Sequence, residues 1–190
     1  KFFMDIKQQK IKLRKAIIEK RDHLAAAYRD EISKTISDRL LGLDCFKEST
    51  VIAAYISFGS EFQTEIVINE ALRLGKTIVL PKIESSSRLL SFRTFSGTFN
   101  ELLRGRWGIP EPDPAKSELI DYSQIDLMIV PGVAFSERGL RMGYGGGYYD
   151  SAMSKLPESS VTVAPVFPIQ VLPEVPLEAH DLKVDVLITI

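Results

Sequence analysis

The sequence has one cysteine among 190 residues, and its apolar runs all fall short of the roughly 20 residues that a membrane-spanning helix needs. The single cysteine, Cys45, excludes an intramolecular disulfide and fits a reducing cytoplasm, which is the location we expect. The first residues are polar and basic and lack the apolar centre of a secretory signal. Met4 is a candidate natural start, and no membrane partner is expected.

The sequence also lacks an excess of charge of either sign. Its 24 basic and 25 acidic residues give a formal net charge of −1, so there is no general long-range attraction to nucleic acid or acidic membranes. Basic residues do concentrate between Lys7 and Arg21, but without the interleaved aromatic residues of a nucleic-acid surface. We expect no nucleic-acid partner, and composition alone favours a solvated basic face.

The first half of the chain has clear helix and strand patterns. Apolar residues recur at helical spacing from about residue 5 to residue 43, which predicts two helices with a break near Lys20–His23. A short apolar run at Val51–Ile56 is typical of a strand that is covered on both faces. A further helix is expected over Glu65–Leu74.

The boundaries of that helix are marked by Thr64, a candidate N-cap, and by Gly75 at its end. A second buried strand, Thr77–Leu80, is expected to stop at Pro81. A strand, a helix and a strand with short joints form a βαβ unit, which requires a parallel sheet and a right-handed crossover.

The second half predicts further strands, an irregular loop, a short helix and a long extended connection. These segments are the strands Leu89–Thr94, Leu127–Val130, Val161–Val166 and Val184–Ile190, the loop Trp107–Pro114, the helix Tyr148–Leu156 and the connection Phe167–Asp181. No repeat or linker divides the chain. The sequence therefore predicts one domain over residues 1–190, a three-layer α/β sandwich with a mainly parallel sheet.

A glycine-rich segment, Arg141–Asp150, lies between a predicted strand and a predicted helix. Its four glycines allow backbone N–H groups to approach an anion closely, and the start of a helix adds a positive end. Arg141 offers a bidentate fork for phosphate, and Asp150 offers a carboxylate for Mg²⁺. The segment matches neither the P-loop nor the dinucleotide fingerprint, so a packed turn is the alternative. Its position beyond the strand ends favours a ligand site.

Several short motifs together resemble one family. Val130–Phe135 followed by Arg141–Asp150 closely resembles the signature of 5-formyltetrahydrofolate cyclo-ligase, also called methenyltetrahydrofolate synthetase. The N-terminal basic motif, the stretch 55–64, the middle loop 108–112 and the end 180–185 follow in the order and spacing of that family. Met142 replaces the usual leucine, and Ser136 and Ser151 replace an aspartate and a basic residue, which would alter loop surface chemistry.

The resemblance implies a fold and a reaction. The fold would be Rossmann-like, similar to that of sugar-phosphate isomerases and CoA transferases. The enzyme would use ATP and Mg²⁺ to convert 5-formyltetrahydrofolate to 5,10-methenyltetrahydrofolate, ADP and phosphate. In this reaction ATP phosphorylates the formyl oxygen, N10 attacks the activated carbon, and phosphate leaves. The expected partner is a small reduced folate, and we expect a monomer or weak homo-oligomer.

The resemblance also implies roles for individual residues, none of them an acid or base catalyst. The expected ATP contacts are Lys10, Arg14, Arg141, Gly143, Gly145, Gly146, Gly147 and Tyr149. The expected substrate contacts are Ile56, Glu61, Trp107, Tyr144 and Tyr148. The expected metal ligands are Asp150 and Asp181.

Each role has a simpler alternative. Lys10 and Arg14, four residues apart on one helical face, would otherwise be solvated cations. Glu61 would be a helix-entry acid, and Asp181 a turn former. Ile56 and Tyr149 would pack in the core, and Trp107 would cover an apolar patch. The functional alternatives are a paralogue with another substrate, as in thiamine salvage, and a non-catalytic nucleotide- or folate-binding protein.

Overall fold

The computed structural model describes residues 5–84, 87 and 89–190, so the candidate start at Met4 lies outside the described residues. These residues form five α-helices: α1 (Ile6–Asp22), α2 (Ala26–Leu41), α3 (Asp44–Glu48), α4 (Glu65–Arg73) and α5 (Tyr148–Met153). Over the same ranges, no helix combines the length and the apolar composition needed to cross a membrane.

Strands in the described part of the chain are β1 (Val51–Ala53), β2 (Thr77–Ile83), β3 (Leu90–Thr94), β4 (Leu103–Arg104), β5 (Pro110–Glu111), β6 (Leu119–Ile120), β7 (Leu127–Ile129), β8 (Ala134–Ser136), β9 (Arg141–Met142), β10 (Val161–Pro165), β11 (Val171–Leu172) and β12 (Val186–Ile188). The large sheet has the order β12-β10-β7-β1-β2-β3-β6. Pairing is parallel from β12 to β2 and antiparallel from β2 to β6. The predicted mixed α/β fold with a mainly parallel central sheet is confirmed.

Helices cover both faces of this sheet. Successive residues of a strand point to opposite faces, so Ile52 and Ala53 of β1 belong to different apolar clusters. On one face Ile52 joins Ile36 of α2 and Ile68 of α4. On the other face Ala53 joins Met153 of α5. The central strands are therefore apolar on both sides, which explains why their sequences lack alternation.

Helix α1 packs elsewhere. Its buried residue Ile17 belongs to a third apolar cluster with Ala134 of β8, Met142 of β9 and Val175 after β11. Strands β8, β9 and β11 form a separate small sheet beside the large one. This packing places the basic helix next to the glycine-rich segment, which begins with β9.

The beginning of the chain agrees with its sequence pattern, apart from the cap. Helix α1 ends at Asp22 and α2 begins at Ala26, close to the predicted break, and β1, α4 and β2 form the predicted parallel unit. Thr64 does occupy the N-cap position, but its side chain does not cap the helix. Its hydroxyl instead donates to the carbonyl of Tyr55 at 2.6 Å, which fixes the chain leaving β1 to the start of α4.

The prediction that Pro81 stops the second strand is wrong, because β2 continues to Ile83. The carbonyl of Val79 accepts a hydrogen bond from Ala54, so Val79 faces β1. The backbone nitrogen of Pro81, two residues later, points to the same edge of β2. The partner strand β1 ends opposite Val79, so it does not reach Pro81. The missing N–H therefore breaks no ladder bond, while Pro81 still pairs with Phe92 of β3.

Other boundaries also differ from the sequence prediction. The segment predicted as the irregular loop Trp107–Pro114 contains β5, which pairs with β4, and a 3₁₀ turn at Arg106–Gly108. Helix α5 is shorter than predicted, and the connection after β10 contains a 3₁₀ turn and β11. Ser136 is buried, and its hydroxyl accepts the N–H of Leu140 at 3.2 Å, so it supports a turn and is no part of the loop surface.

We expect Leu40→Ala to lower the free energy of unfolding by about 2–5 kcal/mol, because Leu40 is fully buried and its removal leaves a cavity. Urea denaturation would measure this loss. The matched control is Ile11→Ala on α1, a position that is 55% exposed, which we expect to change stability by less than about 0.5 kcal/mol. Similar losses for the two variants would contradict the assigned core.

Candidate active site

Helix α1 and the glycine-rich segment share one surface. The Nε atom of Arg14 donates to the carbonyl of Gly143 at 2.9 Å. A Cβ atom on Gly145 would lie 3.4 Å from the guanidinium carbon of Arg14. The predicted basic helix and the predicted phosphate loop are therefore in direct contact, although 129 positions separate Arg14 from Gly143.

Arg141 fastens the glycine-rich segment to the sheet. Its side chain is 3% exposed, and its guanidinium bonds to the carbonyl of Pro131 at 3.1 Å and to Asp150 Oδ2 at 2.8 Å. A Cβ atom on Gly143 would lie 2.7 Å from this guanidinium, so a larger residue there would have to displace the Arg141 side chain. Among the described residues the Nε atom of Arg141 has no hydrogen-bond partner. The expected phosphate contact and the expected metal ligand are thus paired with each other.

The remaining glycines are required by the local backbone. A Cβ atom on Gly146 would lie 2.6 Å from the ring of Tyr148. Gly145 and Gly147 have φ values of 101° and 70°, a region that side chains disfavour. Packing and turn geometry therefore account for these glycines, and their contact with ATP stays a prediction.

A second cation is paired with two carboxylates. The ammonium of Lys10, which is buried, lies 2.8 Å from Glu178 Oε2 and 2.5 Å from Asp181 Oδ2. Burial opposes the charge of Lys10, but its bonds to Asp181 and Glu178 outweigh that effect and raise its pKa. Asp181 Oδ2 also accepts the N–H of Glu178 at 2.7 Å, a turn contact that agrees with its simpler alternative.

The two expected metal ligands lie on adjoining segments. Asp150 Oδ1 accepts the N–H of Leu182 at 3.3 Å, directly after Asp181. Ligand atoms of Glu178, His180 and Asp181 lie within 4.8 Å of one another. Carboxylate oxygens are the donors that Mg²⁺ prefers, so the donor set fits this ion in kind.

Glu61 is held from two sides. The hydroxyl of Tyr144 donates to Glu61 Oε1 at 2.5 Å, and the N–H of Phe58 donates to Oε2 at 2.9 Å. Burial raises the pKa of the Glu61 carboxyl, while these two bonds and the charge of Arg21 oppose the rise. Burial, together with the charge of Glu61, also raises the pKa of the Tyr144 and Tyr149 hydroxyls.

Two aromatic rings lie beside the glycines. Trp107 and Tyr148 meet edge to face, with ring centroids 6.0 Å apart, and the Arg106 guanidinium lies 4.7 Å from the Trp107 ring. Trp107 is 60% exposed, so part of its ring surface remains open to solvent. Ile56 is buried in the large core cluster. Tyr149 packs against the clusters on both faces, and its buried hydroxyl has no hydrogen-bond partner within the described ranges.

The sequence did not indicate three residues that bond to the expected site residues: Arg21, Glu178 and Arg106. Arg21 bonds to Tyr144, Glu178 bonds to Lys10, and Arg106 bonds to the Tyr148 hydroxyl at 3.4 Å. Arg21 follows Arg14 by seven positions, a spacing that places both on one helical face and that was available as a signal. Nothing in the sequence distinguished Glu178 or Arg106 from solvated charges.

The fold defines an α/β protein with a mainly parallel sheet, in which charged side chains of α1, the glycine-rich segment and the C-terminal segment contact one another. Residues 6–190 match the model of the 5-formyltetrahydrofolate cyclo-ligase family. The chain therefore belongs to this family, and the resemblance in its motifs is confirmed.

Relatives from distant organisms agree. The chain is 31% identical over 163 residues to the probable 5-formyltetrahydrofolate cyclo-ligase of Caenorhabditis elegans, covering 80% of this chain and 79% of the relative. The corresponding protein of Schizosaccharomyces pombe is 31% identical over 173 residues, with 84% of each chain covered.

Solved structures agree as well. The NMR structure of Aquifex aeolicus 5,10-methenyltetrahydrofolate synthetase is 32% identical, with a TM-score of 0.82 over 95% of this chain and 89% of that one. A 5,10-methenyltetrahydrofolate synthetase from Mycoplasma pneumoniae, at 21% identity and a TM-score of 0.77 over 95% of this chain and 98% of that one, supports the fold.

Gly146→Ala should destabilise the protein by about 1–3 kcal/mol, because the new methyl group would overlap the Tyr148 ring. The displaced ring should also shift the fluorescence of Trp107, the single tryptophan. Urea unfolding followed by Trp107 emission would measure both effects. Gly42→Ala is the control, since its Cβ atom would meet nothing nearer than 3.4 Å. Unchanged stability and emission in Gly146→Ala would count against the packing described for this loop.

Proposed function

We propose that this protein converts 5-formyltetrahydrofolate and ATP to 5,10-methenyltetrahydrofolate, ADP and phosphate. Membership of the cyclo-ligase family supports the reaction. The observation that carries the proposal is the contact between Arg14 and Gly143, since it joins the basic helix to the glycine-rich segment. In this proposal ATP phosphorylates the formyl oxygen, N10 of the folate attacks the activated carbon, and phosphate leaves.

One part of the site would bind ATP. Phosphoryl transfer depends mainly on positioning and on neutralising charge, and Lys10, Arg14 and Arg141 provide three cations near the glycines. Lys10 is paired with Glu178 and Asp181, and Arg141 is paired with Asp150. We infer that the phosphates take over these cations when ATP binds. The backbone at Gly143 and Gly145–Gly147 and the side chain of Tyr149 would line the same region.

The carboxylates released in this exchange would then hold Mg²⁺. Asp150 and Asp181 are the proposed ligands, and their segments are joined by the bond from the Leu182 N–H. When bound, the ion would neutralise charge on the phosphate oxygens.

The other part of the site would bind the folate. Glu61 is a fixed acceptor for N–H groups of the pterin ring, and Ile56 would supply an apolar neighbour. Tyr144, Tyr148 and Trp107 offer aromatic faces for stacking. Tyr144 is 46% exposed and Trp107 is 60% exposed, so both rings retain surface for a ligand.

We further propose that residues 1–190 form a single domain, a three-layer Rossmann-like sandwich of the sugar-phosphate isomerase and CoA-transferase type. Helices on both faces of a mainly parallel sheet support this assignment. A cytoplasmic location and a monomeric or weakly associating state remain part of the proposal.

The reaction can be tested directly. Purified protein with 5-formyltetrahydrofolate, ATP and Mg²⁺ should form the methenyl product, which is followed by absorbance. Product formation should stop when ATP is omitted or when the metal is chelated. Absence of product, in a reaction where an active cyclo-ligase added as a control succeeds, would overturn the proposal.

Asp150→Asn should lower turnover at least ~10-fold, because an amide is a weaker Mg²⁺ ligand than a carboxylate. Steady-state rates at increasing Mg²⁺ would show whether excess metal partly restores activity. The control is Asp38→Asn, an exposed position on α2 with the same change of charge. Since Asp150 also pairs with Arg141, urea stability should be measured alongside. Full activity of a folded Asp150→Asn variant would remove the proposed metal role.

A further inference from the structure

Arg21 is a buried cation in α1 to which the sequence assigned no role. It is 4% exposed and follows Arg14 by two helical turns on the same face. Its Nε atom donates to the Ser60 hydroxyl at 2.9 Å, and its Nη2 atom donates to the Tyr144 hydroxyl at 2.9 Å. Ser60 in turn donates to Asp22, the last residue of α1. Arg21 therefore bridges the loop after β1 and the glycine-rich segment.

The direction of each bond in this chain is fixed. A guanidinium can only donate, so the Tyr144 hydroxyl must accept from Arg21. With that lone pair engaged, the hydroxyl proton points to Glu61 Oε1, 2.5 Å away. Without Arg21, nothing among the described residues would orient this hydroxyl other than Glu61 itself. The guanidinium thus gives the Tyr144 hydroxyl a second partner, which holds its oxygen in place while its proton is donated to Glu61.

As a result, each of the two carboxylate oxygens of Glu61 accepts one hydrogen bond from the protein. Oε1 takes the proton of Tyr144, and Oε2 takes the N–H of Phe58. Each carboxylate oxygen has about two acceptor positions, so each retains one for a ligand. A pair of parallel acceptors suits a ligand edge that presents two adjacent N–H groups.

We propose that Arg21 is a positioning residue for folate recognition, acting through the Tyr144 hydroxyl to hold Glu61 as a bidentate acceptor. The inference rests on the proposed function, because it takes the ligand edge to be that of a reduced folate. It also assigns a second task to α1. Arg14 contacts the carbonyl of Gly143 and Arg21 contacts the next side chain, so one rigid helix aligns the part of the site for ATP with the part for folate.

A double-mutant cycle tests this pathway. Binding of 5-formyltetrahydrofolate without ATP would be measured by calorimetry for Arg21→Met, for Tyr144→Phe and for the double variant. Each single change should weaken binding about tenfold, the cost of a lost charge-assisted bond. The losses should be less than additive in the double variant, since both changes act through the same contact of the Tyr144 hydroxyl with Glu61. Arg73→Met, which breaks a surface pair with Glu70, is the control and should bind normally.

Independent, additive losses in the cycle would overturn the proposal, as would normal binding by Arg21→Met. Tyr144→Phe keeps the inference testable if Arg21→Met folds poorly, because this ring is half exposed and loses only its hydroxyl. A Tyr144→Phe variant with unchanged affinity would then exclude the pathway.

A second readout does not depend on folate chemistry. The groups that interact with the Glu61 carboxyl are Arg21 from α1, Tyr144 from the glycine-rich segment, Tyr149 from α5 and Tyr55 after β1. Removing Arg21 should raise the pKa of Glu61 further, which ¹³C NMR of labelled glutamate would follow, with Glu61→Gln for assignment. An unshifted pKa would contradict the proposal, whereas missing methenyl product in the wild type would instead overturn the proposed function.

Discussion

The hydrogen bond from Arg14 to the carbonyl of Gly143 is the contact on which the rest of the site depends. It holds α1 over the glycine-rich segment, and Ile17 packs below it into the cluster with Met142. Lys10, one turn before Arg14, then reaches the C-terminal carboxylates, and Arg21, two turns after it, reaches Tyr144. If α1 were shifted by one turn, every one of these cations would lose its partner.

Much of the fold was readable in the sequence because the central strands and helices follow strong local patterns. The βαβ unit of β1, α4 and β2 is an example, since its apolar runs, glycine and short joints all point to the same arrangement. The roles of Pro81 and of the Thr64 side chain were predicted wrongly because they depend on parts of the chain that are not adjacent in sequence. Whether Pro81 breaks a strand depends on where the neighbouring strand stops, and the bond made by Thr64 depends on a carbonyl nine residues earlier.

The sequence singled out residues that the structure brings together, but it did not predict their interactions with one another. The motifs and the resemblance identified Lys10, Arg141, Asp150 and Asp181, which the structure brings into two ion pairs. The sequence assigned the cations to phosphate and the carboxylates to metal, and could not show that they pair with each other. The spacing of Arg21 from Arg14 placed both on one helical face, but nothing local identified Tyr144, 123 positions away, as the partner of Arg21.

These ion pairs bear on how a highly charged ligand would meet the protein. A net charge of −1, with Lys10 and Arg141 each paired with carboxylates, creates little field beyond the surface. Encounter with a nucleotide would then be governed by diffusion and shape, with a weak dependence of the association rate on ionic strength. Selectivity among anionic ligands would arise after contact, when Asp150 and Asp181 exchange Arg141 and Lys10 for the metal ion. A polyanion that binds without a metal ion would take the cations from Asp150 and Asp181. The two carboxylates would then lack a compensating charge, and the polyanion would bind weakly.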